Sequence, residues 1–180
     1  MPPIIMVPGI CNSGPDHWQS LWQAQLRQAT RFAPTDWFHP DRDDWVAALT
    51  LAVTAAPSPP LLVAHSLGCL AVAHWAARRT ARKAAGALLV AVPDPSGRAF
   101  PAEASSFVDP PLGPLPFPAM IVASENDPYA SLTYAEEHAA GWGAELVVVG
   151  RRGHINSASR LGDWPEGRAL LDRLAARIAA

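Results

Sequence analysis

The fold of this chain is decided at residues 61–68, which read Leu-Leu-Val-Ala-His-Ser-Leu-Gly. A short apolar run ends at Ser66, small residues stand two positions to either side of it, and a helical pattern follows. This layout is typical of a sharp strand-to-helix turn that lifts a serine hydroxyl above the edge of a sheet. The strict pattern is Gly-x-Ser-x-Gly, and Ala64 takes the first glycine position here. Because alanine adds only a methyl group, we expect the tight turn to form.

The composition indicates one globular domain over residues 1–180. Hydrophobic residues make up 49% of the chain and charged residues 17%, which is sufficient for a proper apolar core. The net charge of −2 and the lack of a basic run predict neither a nucleic-acid nor a membrane partner. The first residues read as a strand rather than as a signal peptide. Two cysteines are too few for a disulfide framework and favour free thiols in the cytoplasm.

Strand-like apolar runs alternate with helix-like segments along the chain. The runs are short and mostly without polar alternation, as in parallel strands covered on both faces; they are Ile4–Val7, Thr35–Phe38, Leu61–Ala64, Ala87–Val92, Ala119–Ala123 and Glu145–Val149. The spacing of apolar residues predicts five helices, at Asp16–Thr30, Asp43–Ala55, Leu67–Arg79, Tyr129–Ala140 and Pro165–Ala179. We therefore expect an α/β fold with a mostly parallel sheet of about six strands and helices on both faces.

A proline-rich stretch, residues 93–118, follows the fourth predicted strand and is expected to be a loop without long regular structure. Ligands of open α/β sheets bind at the carboxyl ends of the strands, where this stretch begins. We predict that it forms part of a substrate rim. The alternative is a passive surface connection.

Three chemistry-bearing residues follow predicted strands in a meaningful order. A serine hydroxyl becomes a nucleophile when a base removes its proton and an acid holds the base, and in this architecture the chain order is serine, acid, histidine. Asp127 follows the fifth predicted strand and His154 the sixth, so both can meet Ser66 at one edge of the sheet. Asp94 and Glu125 are alternatives for the acid. We predict that Ser66 attacks an acyl carbonyl, His154 transfers the proton, and Asp127 orients the imidazole.

The oxyanion formed by such an attack needs two backbone N–H donors. One is expected from Leu67, which follows the serine at the start of a helix. The other should come from the loop after the first strand, where Pro8 has no N–H, so that Gly9 and Ile10 remain and Ile10 is preferred. His65 is expected to be structural. The spacings of His and Cys make no zinc site, and no phosphate loop or dinucleotide fingerprint is present, so we expect no metal or cofactor.

Five motifs together carry a resemblance to a known family. They are Val-Pro-Gly at 7–9, Ser-Gly-Pro-Asp-His-Trp-Gln at 13–19, His-Ser-Leu-Gly at 65–68, Ser-Glu-Asn-Asp-Pro-Tyr at 124–129 and Gly-His-Ile-Asn at 153–156. In these motifs the chain resembles the small α/β-hydrolases of the retinoblastoma-binding-protein-9 and YdeN-like serine hydrolase family. The resemblance implies a compact, single-domain α/β-hydrolase fold with no separate lid. It also implies a triad that maps onto Ser66, Asp127 and His154.

We therefore expect a cofactor-free serine hydrolase that cleaves an ester, thioester or amide of a small-molecule acyl substrate through an acyl-enzyme. The alternative is an interaction module on the same scaffold with little turnover, for which exposed tryptophans such as Trp37, Trp142 or Trp164 would be contact anchors. A third hypothesis is an acyltransferase that passes the acyl group to an acceptor other than water. A protein partner is compatible with the sequence, but nothing in it indicates one.

Overall fold

The protein is built on one parallel sheet. The structure, a computed structural model, describes residues 1–78 and 84–179. Six strands form within these ranges: β1 (Ile4–Val7), β2 (Ala29–Arg31), β3 (Leu61–His65), β4 (Gly86–Val90), β5 (Ala119–Ala123) and β6 (Glu145–Val148). They lie in the order β2-β1-β3-β4-β5-β6, and every neighbouring pair is parallel. The carboxyl ends of all the strands therefore meet at one edge, as the sequence predicts.

Helices cover both faces of the sheet. The described ranges contain α1 (Trp18–Gln25), α2 (Arg42–Ala55), α3 (Leu67–Ala77), α4 (Leu132–Trp142) and α5 (Pro165–Ala179). Alternate side chains of the central strands belong to two separate apolar clusters, one shared with α1 and α5 and the other with α2, α3 and α4. Burial on both faces explains why β1, β3, β4 and β5 read as continuous apolar runs. The predicted α/β architecture with helices on both faces is confirmed.

The predicted second strand is wrong. Residues 35–38 form a turn instead, because the Asp36 carboxylate accepts the backbone N–H groups of Phe38 at 2.7 Å and His39 at 3.1 Å. An aspartate carboxylate that accepts hydrogen bonds from the backbone N–H groups two and three residues later stabilises a turn, which competes with a strand. The strand lies earlier, at Ala29–Arg31, where it pairs with the start of β1.

Several of the predicted helix boundaries also move, two of them by three residues or more. The first helix ends at Gln25 rather than Thr30. The prediction ran too far because the apolar spacing continues through Leu26 and Ala29, which pack on the same core although they lie in the following turn and in β2. The fourth begins at Leu132, where the Ser131 hydroxyl accepts the N–H of Tyr134 at 3.1 Å and caps the helix. The predicted end of the third helix at Arg79 lies outside the described residues.

The proline-rich stretch after β4 is a loop, with one short 3-10 helix at Ala102–Phe107. Ala104 and Phe107 are fully buried and attach this excursion to the core beside α2 and α3. No helix in the described ranges is long and apolar enough to cross a membrane.

Candidate active site

Ser66 stands on a strained turn between β3 and α3. Its backbone has a φ of 53° and a ψ of −127°, a conformation that costs a residue with a side chain on the order of 1–3 kcal/mol. The turn is held in place because the Ser66 N–H donates to the Val90 carbonyl at 2.9 Å. The turn forms with Ala64 in the position of the usual glycine, and Ala64 is fully buried.

The glycines around this turn allow β1 and α3 to approach each other closely. A Cβ on Gly68 would lie 2.1 Å from the Val7 carbonyl oxygen and 2.7 Å from that of Pro8. A Cβ on Gly9 would lie 2.9 Å from the Cβ of Ser66. These distances are shorter than any real contact, so only glycine lets the loop after β1 lie directly beside the serine.

The structure brings Ser66, His154 and Asp127 into contact at the carboxyl edge of the sheet. The Nε2 atom of His154 lies 2.8 Å from the Ser66 Oγ. The Nδ1 atom of the same ring lies 2.9 Å from each carboxylate oxygen of Asp127. The side chains of His154 and Asp127 are only 8% and 4% exposed, so this pair is shielded from water. Nδ1 therefore donates to the carboxylate, which leaves Nε2 to accept the serine proton.

Of the three acids considered from the sequence, Asp127 is the one beside the imidazole. The Asp94 carboxylate instead accepts the N–H and the hydroxyl of Ser96, at 2.8 and 2.7 Å. Glu125 is exposed to solvent. The Asp127 carboxylate also accepts the N–H of Tyr129 at 2.9 Å, which fixes its orientation toward His154.

The loops that carry the acid and the histidine are hydrogen-bonded to each other by side chains for which the sequence predicts no specific role. The Asn126 side-chain oxygen accepts the Ser124 hydroxyl at 3.0 Å and the Gly153 N–H at 2.9 Å. The Ser124 oxygen in turn accepts the Arg152 N–H at 2.8 Å. These hydrogen bonds couple the loop after β5 to the loop after β6.

Two further histidines lie close to His154. The His65 ring is 5.0 Å from the His154 ring and the His17 ring is 4.8 Å from the His65 ring, measured between centroids. Burial, with the charges of Arg31 and His154, lowers the pKa of His17 to about 4. Burial also lowers the pKa of His65 well below the ordinary value for histidine. Both rings are therefore neutral at pH 7.

His65 is hydrogen-bonded as well as buried, because its Nε2 atom lies 2.9 Å from the carbonyl oxygen of His154. The sequence predicts a structural role for His65, but it does not indicate this contact. The ring of Tyr129 lies 4.3 Å from that of His154, measured between centroids. The imidazole therefore packs against the rings of both His65 and Tyr129.

Three backbone N–H groups that donate no hydrogen bond within the described ranges belong to residues around Ser66. Within the described ranges, the Leu67 N–H at the start of α3 donates no hydrogen bond. In the loop after β1, the N–H of Cys11 is used by the Trp37 carbonyl at 2.8 Å, whereas those of Gly9 and Ile10 donate none within the described ranges. All three residues with free N–H groups line the same cleft as Ser66. The structure thus offers Leu67 with either Gly9 or Ile10 as an oxyanion-binding pair.

The cysteines near the site differ in character. Cys69 is fully buried on α3, and burial raises the pKa of its thiol, so it is a protonated core residue. Cys11 is exposed and lies in the loop after β1. No group of three His, Cys, Asp or Glu side chains within residues 1–78 and 84–179 is arranged to hold a metal ion.

A cleft of about 780 Å³ opens over the serine. Its wall includes Pro93 and residues 99–101, so the proline-rich excursion lines the cleft as predicted. Phe38, which is 62% exposed, and the half-buried Phe100 give this wall an aromatic, apolar character. A wall of this kind suits the uncharged part of an organic substrate.

The tryptophans that the sequence suggested as exposed anchors are mostly in the core. Trp142 and Trp164 are each only 1% exposed, and Trp37 is half-buried against the core. The Trp142 N–H donates to the Pro111 carbonyl at 2.6 Å. The expectation that these residues form a contact surface is therefore wrong for Trp142 and Trp164.

Comparison with solved structures gives close matches over nearly the whole chain. A putative YdeN-like hydrolase from Pectobacterium atrosepticum is 32% identical, with a TM-score of 0.87 over 97% of this chain and 91% of that one. The ydeN gene product of Bacillus subtilis is 21% identical, with a TM-score of 0.81 over 96% and 98%. Mouse α/β hydrolase domain-containing protein 10 is 16% identical, with a TM-score of 0.69 over 97% and 90%.

The family model for serine hydrolases matches residues 4–173. A search of curated proteins finds no match to this chain. The resemblance to the YdeN-like hydrolases that the motifs indicate is confirmed by the structural matches and the family model together. The chain belongs to the serine hydrolase family, and it is a hydrolase with the α/β-hydrolase fold.

Proposed function

We propose that this hydrolase cleaves a carboxylic ester, thioester or amide through an acyl-enzyme intermediate, with Ser66, His154 and Asp127 as its catalytic triad. The observation that carries the proposal is the pair of contacts made by one imidazole, at 2.8 Å to the Ser66 oxygen and 2.9 Å to the Asp127 carboxylate. This is the arrangement that makes a serine hydroxyl nucleophilic. Its position at the base of an open cleft supports a small-molecule acyl substrate.

The proposed reaction begins when the Ser66 oxygen attacks the acyl carbonyl carbon and its proton passes to Nε2 of His154. The tetrahedral intermediate carries its negative charge on the former carbonyl oxygen. Its collapse breaks the bond to the leaving alcohol, thiol or amine, which takes the proton from Nε2. Water then attacks the acyl-enzyme, gives a proton to Nε2, and releases the carboxylic acid as the proton returns to Ser66. Asp127 stays ionised and stabilises the imidazolium throughout.

The negative oxygen is stabilised by backbone N–H groups. In the proposed mechanism Leu67 supplies one donor, at the positive end of α3, and Ile10 or Gly9 supplies the other. All of these N–H groups are free of other acceptors within the described ranges, so none must break a bond before it meets the oxyanion. Losing one such donor typically costs about 3 kcal/mol of transition-state stabilisation.

The proposal is tested with a fluorescent fluorophosphonate, which labels an activated serine far faster than an ordinary one. Ser66→Ala should abolish labelling while leaving the circular dichroism spectrum unchanged. Ser157→Ala is the matched control, because Ser157 also lines the cleft, whereas the His154 ring is hydrogen-bonded to Ser66 and Asp127. Labelling that persists in Ser66→Ala, or that is lost in Ser157→Ala, would remove Ser66 from its proposed role.

Hydrolysis is favoured over an interaction module because Trp142 and Trp164, two of the proposed contact anchors, are buried. A cytoplasmic location remains part of the proposal. It rests on Cys11 and Cys69 being free thiols, which a reducing compartment maintains.

A further inference from the structure

Two successive carbonyl groups on the loop of the catalytic histidine are each bound by a buried ring N–H. The His154 carbonyl lies 2.9 Å from Nε2 of His65, the last residue of β3. The Ile155 carbonyl accepts the indole N–H of Trp18, the first residue of α1, at 2.8 Å. Because a carbonyl oxygen only accepts, the His65 ring must carry its proton on Nε2. Two elements far apart in the chain thus bind adjacent peptide groups.

The loop needs such support because its backbone enters the left-handed region on both sides of His154, which glycine adopts freely but which strains Ile155. Gly153 has a φ of 59° and Ile155 a φ of 49°. The left-handed region is unfavourable for a β-branched residue such as isoleucine, and such a conformation persists only where the surroundings over-determine it. Ile155 is fully buried, and the exposed fractions of His65 and Trp18 are 5% and 1%. Their hydrogen bonds are therefore made without competition from water.

We propose that His65 and Trp18 are positioning residues for the hydrolysis: by binding the carbonyls of His154 and Ile155, they hold the imidazole of His154 against Ser66. This inference rests on the proposed function. A proton transfer across 2.8 Å is sensitive to small displacements of the ring. A misplacement of about 1 Å caused by a change away from the chemistry can reduce the rate about 100-fold. Loss of either N–H should therefore lower kcat and leave KM nearly unchanged.

The first test compares two tryptophans that each donate a buried N–H to a loop carbonyl. Trp18→Phe removes the bond to Ile155, and Trp142→Phe removes the bond to Pro111, on the opposite face of the sheet. With p-nitrophenyl butyrate as substrate, we expect Trp18→Phe to lower kcat about 10- to 100-fold, with KM within about twofold. Trp142→Phe should keep the kcat of the parent protein. Equal kcat values for the two variants would overturn the inference.

The second test concerns His65. His65→Phe keeps a ring but removes the N–H, whereas His65→Gln keeps an N–H donor of similar reach, so the glutamine variant should recover most of the kcat that the phenylalanine variant loses. His138→Phe is the matched control, because it removes another buried histidine bond to a carbonyl, at Tyr134 on α4. A kcat for His65→Phe as high as that of His138→Phe would overturn the assignment of His65.

A double-mutant cycle separates positioning from general stability. When His154→Ala has removed the imidazole, Trp18→Phe should change the residual rate of fluorophosphonate labelling by less than about twofold, because there is no base left to position. A full-sized effect of Trp18→Phe in that background would show a structural role and overturn the inference while leaving the triad intact. Absence of all turnover and labelling in the parent protein would instead overturn the proposed function, and this inference with it.

Discussion

Replacing His17 with asparagine should remove a large acid-induced loss of stability. His17 is 4% exposed, and its pKa is lowered from 6.5 to about 4 by burial first and by nearby positive charge second. Between these pH values the unfolded chain binds a proton that the folded protein does not. The free energy of unfolding is therefore highest, as far as His17 is concerned, above pH 6.5, and it decreases as the pH falls toward 4. For a shift of this size the loss at pH 4 is about 3 kcal/mol.

The measurement is urea unfolding of both proteins at a series of pH values from 7 to 4. Asparagine keeps an acceptor for the Gln19 N–H, which His17 Nδ1 accepts at 3.2 Å, so the start of α1 remains capped. The free energy of unfolding of the parent protein should fall about 3 kcal/mol further than that of His17→Asn over this range. His39→Asn, which removes a histidine whose side chain is 78% exposed, is the control substitution. Parallel profiles for the parent and His17→Asn would refute the reasoning.

Two substitutions probe the geometry around the serine. Gly68→Ala would place a Cβ 2.1 Å from the Val7 carbonyl oxygen, so we expect it to abolish fluorophosphonate labelling and to lower the melting temperature. Gly14→Ala is the control and should have neither effect, because a Cβ on Gly14 meets no atom within 4 Å. Unchanged labelling of Gly68→Ala would contradict the close approach of β1 and α3. Asp127→Asn should lower kcat about 10⁴-fold with little change in the fold, since the amide no longer holds the imidazole in the productive tautomer. Asp94→Asn should retain activity, and equal losses in the two variants would contradict the choice of Asp127.

Much of the fold could be predicted because local patterns report burial and chain order. Continuous apolar runs such as Leu61–Ala64 indicate strands covered on both faces, and alternation with helices indicates a parallel sheet. Parallel strands bring their carboxyl ends to one edge. The positions of Asp127 and His154 after two such strands were therefore enough to predict that they would lie near Ser66.

The errors have two different physical causes. Residues 35–38 have the composition of a strand, but the Asp36 carboxylate binds the backbone that follows it and stabilises a turn. At the end of α1 the apolar spacing misleads, because Leu26 packs on the same core as the helix although it lies beyond the helix end.

The contacts that hold the loop of His154 could not be predicted from the sequence. The bonds from His65 and Trp18 to the loop of His154 join residues 89 and 137 positions apart. They run from side chains to backbone carbonyls, and because every residue has a backbone carbonyl, the residue type does not indicate which one is bound. Periodicity predicts which face a ring occupies, but not which peptide group it meets.

The most direct test of covalent catalysis is peptide mapping of the intermediate trapped by rapid acid quench during turnover of a p-nitrophenyl ester. We predict an added mass equal to one acyl group on the peptide that contains Ser66, and no such adduct when Asp127 and Ser66 are intact but His154 is replaced by alanine. An acyl group found on another residue, such as Cys11, or rapid turnover with no covalent adduct at any quench time, would contradict the mechanism.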